Sequence, residues 1–251
     1  MNALPLAGVG VAITRPSDQA KKLTSLIEAA GGHVILFPLI EIIGLDDYSQ
    51  FEREIAHIAE YDWIIFISSN AVQHGMPHLL KHTLPNRLRF AAIGPVTASE
   101  LQDFGIQNVL IPQGRYDSES LLSLTELQEM QGKKLMIVRG IGGREVLAET
   151  LKSRGAEVTF AECYQRINPQ KNIETLHQAW VNHQLQAIVV TSSEAMRYLL
   201  DFASHASWLW EVTLCVNHAR IAEQPIAMGI KVKVADAPGD EAMLATLHNL
   251  R

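Results

Sequence analysis

The segment LMIVRGIGGREVLAETLKSRGAEV, Leu135–Val158, reads as a second version of VAITRPSDQAKKLTSLIEAAGGHV, Val11–Val34. Arg139 falls on Arg15, Leu147 on Leu23, Leu151 on Ile27 and Gly155 on Gly31, always 124 residues later (139 − 15 = 124). The register persists through Ser192 and Ser193, which fall on Ser68 and Ser69, and through Gly229-Ile230, which fall on Gly105-Ile106. It slips by a residue or two where DSESLL, 117–122, meets GDEAML, 239–244. An internal duplication of this length predicts two structural units rather than one.

Each copy alternates short β-branched runs with helical periodicity, the pattern of a parallel sheet wrapped by helices. The expected strands are VGVAIT, HVILFPLIEI, WIIFIS, FAAIG and NVLIP in the first copy, and LMIVR, EVTFAECYQR, AIVVTS, LCVN and VKVAD in the second. Between them the helix expected over Asp18–Ala30 places Ala20, Leu23, Ile27 and Ala30 on one buried face, with Gly31-Gly32 as its stop.

Bulk properties exclude several classes. With 251 residues, 47% hydrophobic and 19% charged, the chain has the composition of a soluble globular protein, and it has no uncharged apolar run long enough to span a bilayer. A net charge of −6 without a Lys/Arg run gives no footprint for nucleic acid. Two cysteines, Cys163 and Cys215, read as reduced and buried rather than bridged. ALPLAGVGVAIT lacks the positive leader and cleavage pattern of a signal peptide, so a cytoplasmic location is expected.

Ligands collect where strands of such sheets hand over to helices, because backbone N–H groups and the positive helix end face the crevice. The corners here are polar: Thr14-Arg15-Pro16-Ser17-Asp18, Ser68-Ser69-Asn70, Gly94-Pro95-Val96-Thr97, Arg139 through Arg144, Ser192-Ser193-Glu194 and Pro238-Gly239-Asp240. Any one Ser or Thr among them also serves as a plain helix cap. Repetition of Arg and paired Ser in both copies points instead to two sets of donors for one multiply charged ligand.

Other motifs carry less. GIGGRE follows a strand, but the third glycine of a dinucleotide fingerprint falls on Glu145, and the matching corner RPSDQA has no glycine. Its glycines are better suited to letting the backbone approach an anion, with Arg144 in the first helical turn. His74, His78 and His82 have metal-face spacing, yet Gly75 and Pro77 are expected to break that helix. No G-x-S-x-G elbow accompanies the Ser pairs. Asp46-Asp47 precedes an amphipathic helix around Phe51–Ile58 and suits capping. Tyr164, in AECYQR at the exit of a strand, is a phenol that keeps a proton to donate at neutral pH, and also a candidate core-edge residue.

Taken in order and spacing, TRP, FPLIEI, FISSNAV, AAIGPVTASEL, LMIVRGIGGREVLAETLKSRGAEVTFAECYQR and VVTSSEAM resemble the uroporphyrinogen-III synthase family over essentially the whole chain. The resemblance implies two Rossmann/flavodoxin-like parallel-sheet α/β domains joined by a two-stranded antiparallel β-ladder. Residues 1–36 with 166–251 would form a discontinuous domain, 40–162 the second, and 33–43 and 157–167 the connecting strands. It also implies cyclisation of the linear tetrapyrrole hydroxymethylbilane to uroporphyrinogen III, with loss of water and inversion of the last ring, and neither metal nor organic cofactor.

Within that resemblance Tyr164 is the expected catalytic acid. Thr14, Arg15, Ser68, Ser69, Asn70, Gly94, Thr97, Arg139, Gly140, Gly143, Arg144, Ser192 and Ser193 are the expected substrate donors. Two departures stand out: Gly94 has His218 as its counterpart, and the corner APGDEAM is acidic, where either Arg220 supplies a counter-charge or the tetrapyrrole does not reach that far. A monomer is expected, and the resemblance allows transient contact with hydroxymethylbilane synthase. The competing readings are a hinged two-lobed binding protein for an anionic small ligand and a nucleotide-dependent oxidoreductase.

Overall fold

From the N-terminus the chain forms β1 (Gly10–Ile13), α1 (Ser17–Ala29), β2 (His33–Leu36), β3 (Glu41–Gly44), α2 (Ser49–Ala56), β4 (Trp63–Phe66), α3 (Ser69–Leu79), β5 (Arg89–Ala92), α4 (Pro95–Asp103) and α5 (Ser118–Leu122). Then follow β6 (Lys134–Gly140), α6 (Val146–Ser153), β7 (Glu157–Ile167), α7 (Glu174–Val181), β8 (Ala187–Val190), α8 (Ser193–Ala203), β9 (Thr213–Val216), α9 (Ala219–Ala227), β10 (Val232–Val234) and α10 (Asp240–His248). This computed structural model describes residues 4–250.

The chain divides into two units, one taking the sequence up to Glu41 and from Ile167 onward, the other Ile42–Arg166. In the first unit the sheet order is β10-β9-β8-β1-β2, all parallel. Counted along that unit's own strands this is the doubly wound order 2-1-3-4-5, with the reversal of winding between β1 and β8. β1 and β8 are buried along their whole length, which is why GVAI and AIVV show no polar alternation. One face packs on Leu23 and Ile27 of α1 and Met243 and Leu247 of α10; the other packs on Leu199 of α8 and Ile221 of α9.

The second unit has the order β3-β7-β6-β4-β5, with β7, β6, β4 and β5 parallel and Leu110 bridging outward from Ala91. The strand starts of the two units keep the interval seen in the sequence. β1 and β6 start at 10 and 134, β2 and β7 at 33 and 157, β4 and β8 at 63 and 187, β5 and β9 at 89 and 213, so each difference is 124. Equivalent strands from one half of the sequence nevertheless go to different units. β1 and β2 complete the sheet that β8–β10 build, whereas β6 and β7 complete the sheet that β4 and β5 build.

Three local expectations are corrected. HVILFPLIEI is two short strands, β2 and β3, because Pro38 has no N–H to give a ladder; instead the Leu39 N–H crosses to Thr14 O at 3.0 Å. NVLIP reduces to the single bridge at Leu110. α3 runs through Gly75 and Pro77, since burial of Ala71, Val72, Gly75, Met76 and Leu79 outweighs the lost helical hydrogen bond. Gly75 also lets α3 lie close on the sheet, where a Cβ would sit 2.9 Å from Val138 Cγ1.

Cys163 and Cys215 are free and fully buried, and burial pushes both thiols up to about 12. The nucleophilic thiolate is therefore scarce at neutral pH. Neither should react with iodoacetamide in the native protein at pH 8, while both should be alkylated after unfolding in urea. Native-state labelling at the unfolded rate, read by mass spectrometry, contradicts this.

Candidate active site

In the second unit the winding reverses between β6 and β4, and the residues leaving those strands are Gly140 and Ser68. Ser68 caps α3, its Oγ accepting from the Ala71 N–H at 3.1 Å. That oxygen also lies 3.1 Å from Tyr164 Oη. A hydroxyl oxygen has two lone pairs. With one taken by Ala71, the other can receive the Tyr164 O–H, which leaves the Ser68 proton free to point outward.

Tyr164 reaches Ser68 because β7 is bulged. Arg139 pairs with Glu162 but Gly140 pairs with Tyr164, so Cys163 is an extra residue without a partner on β6. Strict alternation would put Tyr164 on the face of Val158 and Phe160; the bulge moves it to the core cluster of Ala161 and Cys163. Its ring then lies across Gly140, where a Cβ would stand 2.5 Å from Cε2 and 2.6 Å from Cζ. The side chain lies at the edge of the core: Tyr164 is 2% exposed, and its hydroxyl meets Ser68. The half-buried His74 lies 5.9 Å from it, ring to ring, and desolvation favours its neutral form.

Arg139 turns inward. It is 2% exposed, donates from Nε to Gly140 O at 3.2 Å and from Nη2 to Gly142 O, and stacks 4.6 Å over Phe160. It shapes the Gly140–Gly143 loop rather than offering its charge to a ligand. Gly142 and Gly143 have positive φ, and Arg144 is exposed in the loop two residues before α6, not in its first turn. Ser69 and Asn70 are half-buried at the start of α3, with no side-chain hydrogen bond among the described residues. Gly94 caps α4 through its backbone, and Thr97, 4% exposed, lies in that helix's first turn, where N–H groups lack helical partners.

In the first unit, Thr14 is fully buried and spends both its N–H and its hydroxyl on Val189 O, so it has no donor left for a substrate. Arg15 donates to Thr191 Oγ1 at 3.2 Å and to Asp240 Oδ1 at 2.5 Å, with both charged side chains largely buried. Asp240 thus occupies the position expected for a substrate carboxylate, and Arg15 rather than the exposed Arg220 answers the acidic corner. Ser192 repeats the Ser68 cap, accepting from the Ala195 N–H at 3.0 Å, and Ser193 beside it is exposed. Ile40 stands where a Tyr164 equivalent would fall (164 − 124 = 40). A groove of about 830 Å³ in this unit, beside Gly8, Trp180 and Lys231, lies at the opposite, N-terminal ends of the strands and touches no expected site residue.

Ser68→Ala and Ser192→Ala should each cost about 1 kcal/mol of stability through the lost cap. Ser68→Ala should also depress kcat at least tenfold, while Ser192→Ala leaves kcat within about twofold. Equal kcat losses in the two variants would reduce Ser68 to a cap.

Two residues near the site escape sequence reasoning. His74 is masked by its place in the apparent metal face, and Tyr48 carries no motif. Their shared signal is position: His74 and His78 are one turn apart on α3, and Tyr48 precedes α2. Among the described residues no cluster of His, Cys, Asp and Glu is arranged to hold a metal, and no helix is long and apolar enough to cross a membrane.

Two flavodoxin-like units built from exchanged segments, one with a tyrosine–serine hydroxyl pair at its switch point, define a class of two-unit α/β protein. The family model described as uroporphyrinogen-III synthase HemD matches residues 21–245. Uroporphyrinogen-III synthase of Escherichia coli (strain K12) is 34% identical over 246 residues, covering 96% of this chain and 100% of that one. The Proteus mirabilis enzyme of the same name is 34% identical over 195 residues, 77% of this chain and 98% of that one. The chain belongs to the uroporphyrinogen-III synthase family. Its fold matches that of a mutant uroporphyrinogen III synthase from the extremely thermophilic bacterium Thermus thermophilus, with TM-score 0.65, 18% identity and coverage of 96% and 98%. It also matches uroporphyrinogen-III synthetase from Helicobacter pylori 26695, with TM-score 0.60, 17% identity and coverage of 97% and 100%. Family membership over this span disfavours the anion-binding-protein reading.

Proposed function

We infer that the chain cyclises hydroxymethylbilane to uroporphyrinogen III as a cofactor-free lyase of tetrapyrrole biosynthesis, with Tyr164 supplying a proton through Ser68. The observation that carries this reading of the site is the 3.1 Å contact between the two hydroxyls at the switch point of the second unit. Tyr164 has the proton but is buried, whereas Ser68 is half-buried and has an oxygen already polarised by the Ala71 N–H. The relay gives the Ser68 proton to the departing hydroxyl, which leaves as water, while Ser68 takes the Tyr164 proton. The resulting phenolate recovers a proton when the closed ring system loses one.

The bond changes themselves ask for little from the protein. Nitrogen lone-pair donation expels the hydroxyl and leaves an azafulvene. The substituted carbon of the terminal ring attacks it, and the spiro intermediate fragments and recloses with that ring inverted. No electron is transferred to or from the substrate, so the chemistry needs no redox partner. Selectivity comes from holding the chain ends in the productive geometry. The N–H groups at Ser69, Asn70, Gly94, Thr97, Gly140, Gly143, Ser192 and Ser193 are the proposed carboxylate donors, with Arg15 and Arg144 as cations. Arg15 can accept a substrate carboxylate where Asp240 yields its place or through the rest of its guanidinium.

We further propose a cytoplasmic location, which two buried, unbridged thiols support, a monomeric state, and hydroxymethylbilane arriving by transient contact with hydroxymethylbilane synthase. The deciding experiment supplies enzymatically generated hydroxymethylbilane, oxidises the products and separates the isomers. Type III is expected in excess over the enzyme-free control; type I alone rejects the function.

A further inference from the structure

We propose that Tyr48 is a positioning residue for the reaction: its hydroxyl fastens the bulge residue Cys163 and thereby holds Tyr164 against Ser68. The inference rests on the catalytic reading of Tyr164 above and adds a residue outside the motifs that led to it. Tyr48 Oη donates to Cys163 O at 3.0 Å. That carbonyl belongs to the peptide group whose nitrogen is Tyr164's own. Its orientation therefore helps fix the direction in which the Tyr164 side chain leaves the strand.

The bulge makes this hydrogen bond consequential. Cys163 has no partner on β6, so the β6 side of the ladder does not hold it. Its thiol faces inward, 3.6 Å from both Ala71 O and Arg139 O, and these are weak contacts. On the other side of Tyr164, the Ile141 N–H donates to Tyr164 O at 2.8 Å. The Tyr48 hydroxyl and the Ile141 amide thus pin the two carbonyls that flank the Tyr164 Cα. An unbulged register would carry Tyr164 to the opposite face of the sheet, away from Ser68.

Tyr48 is itself well held. Its ring stacks on His78 with centroids 4.2 Å apart and planes 16° from parallel, and meets the edge of Phe51 at 6.1 Å. His78 is anchored in turn by Glu52, with Nδ1 2.5 Å from Oε1, a bond that holds the Glu52 carboxyl below its usual range. Gly44 supplies the space for the hydroxyl: a Cβ there would stand 2.8 Å from Tyr48 Oη. Gly44 does not have positive φ, so Gly44→Ala adds a methyl group at the clamp without backbone strain.

The test is a double-mutant cycle between Tyr48→Phe and Tyr164→Phe, with kcat, KM and isomer ratio measured on enzymatically generated hydroxymethylbilane. Tyr48→Phe keeps the stacked ring and removes only the hydroxyl. In the otherwise unchanged enzyme it should lower kcat roughly 5- to 50-fold with KM within about twofold. In the Tyr164→Phe background it should lower kcat by less than about twofold, because the proton donor it aims is already gone. A general loss of packing would depress both backgrounds alike. Equal loss in the two backgrounds, or unchanged kcat in Tyr48→Phe, overturns the inference. If Tyr48→Phe does not fold, Gly44→Ala replaces it in the same cycle with the same expected and overturning results. Failure of the unsubstituted protein to form type III isomer rejects the function itself, and is thereby distinct from failure of the clamp.

Discussion

Replacing Tyr164 by Phe should lower kcat roughly 10- to 1000-fold while leaving KM and thermal stability nearly unchanged. The ring stays in the core among Ala161, Cys163 and Ala71, so the packing survives. What disappears is the proton that replenishes Ser68. The effect is bounded above because the substrate's own nitrogen lone pair helps to expel hydroxide, and bounded below because Ser68 alone cannot regain its proton from a buried neighbour. In free energy the range is about 1.4 to 4 kcal/mol of transition-state stabilisation. A second readout follows from the competing reaction in solution. As the enzyme slows, spontaneous closure should raise the type I fraction at fixed substrate consumption. Unchanged turnover and isomer ratio would remove Tyr164 from the mechanism.

Gly140→Ala should be as damaging to turnover and more damaging to stability. The added methyl would stand 2.5 Å from Tyr164 Cε2 and 2.6 Å from Cζ, well inside contact distance. Backbone strain is not the cause, since Gly140 does not have positive φ. The ring must leave its place over β6, or β6 must move from β7, and such overpacking costs about 1–3 kcal/mol. Either adjustment separates Tyr164 Oη from Ser68 Oγ. A kcat loss of roughly 100-fold or more is expected, together with a lower unfolding temperature in calorimetry. Combination with Tyr164→Phe should give much less than the product of the separate losses. Full activity in Gly140→Ala would show that the hydroxyl pair is dispensable.

Periodicity and turn residues made the strands and most helices legible, because a parallel sheet covered on both faces leaves long apolar runs. The 124-residue spacing identified equivalent positions but could not tell which half of the sequence would complete which sheet; that depends on long-range pairing. At the site, residue type was a better guide than side-chain direction. Arg139 shares a strand face with Leu135 and Ile137, so alternation already hinted that it points into the sheet's covering layer. No spacing rule could show that the following loop would fold its carbonyls back onto the guanidinium. Tyr164 was harder still, because one unpaired residue in β7 reverses its face. Thr14 looked like an exposed corner and proved to be a cross-strand link to Val189. Asp240 and Arg15 are 225 residues apart, and only the fold brings them together.

The exchange of segments also has a consequence for the order of events on the ribosome. Every strand of the second sheet, β3 to β7, has emerged once residue 167 has left the exit tunnel. β1 and β2 emerge earliest, yet β8, the partner that buries β1's remaining edge, begins 151 residues after β2 ends (187 − 36 = 151). At about 5–20 residues per second, that edge waits roughly 8–30 s. Nascent chains stalled with residue 167 outside the tunnel and Ala187 still inside it should therefore carry a finished middle and an unfinished, chaperone-dependent beginning.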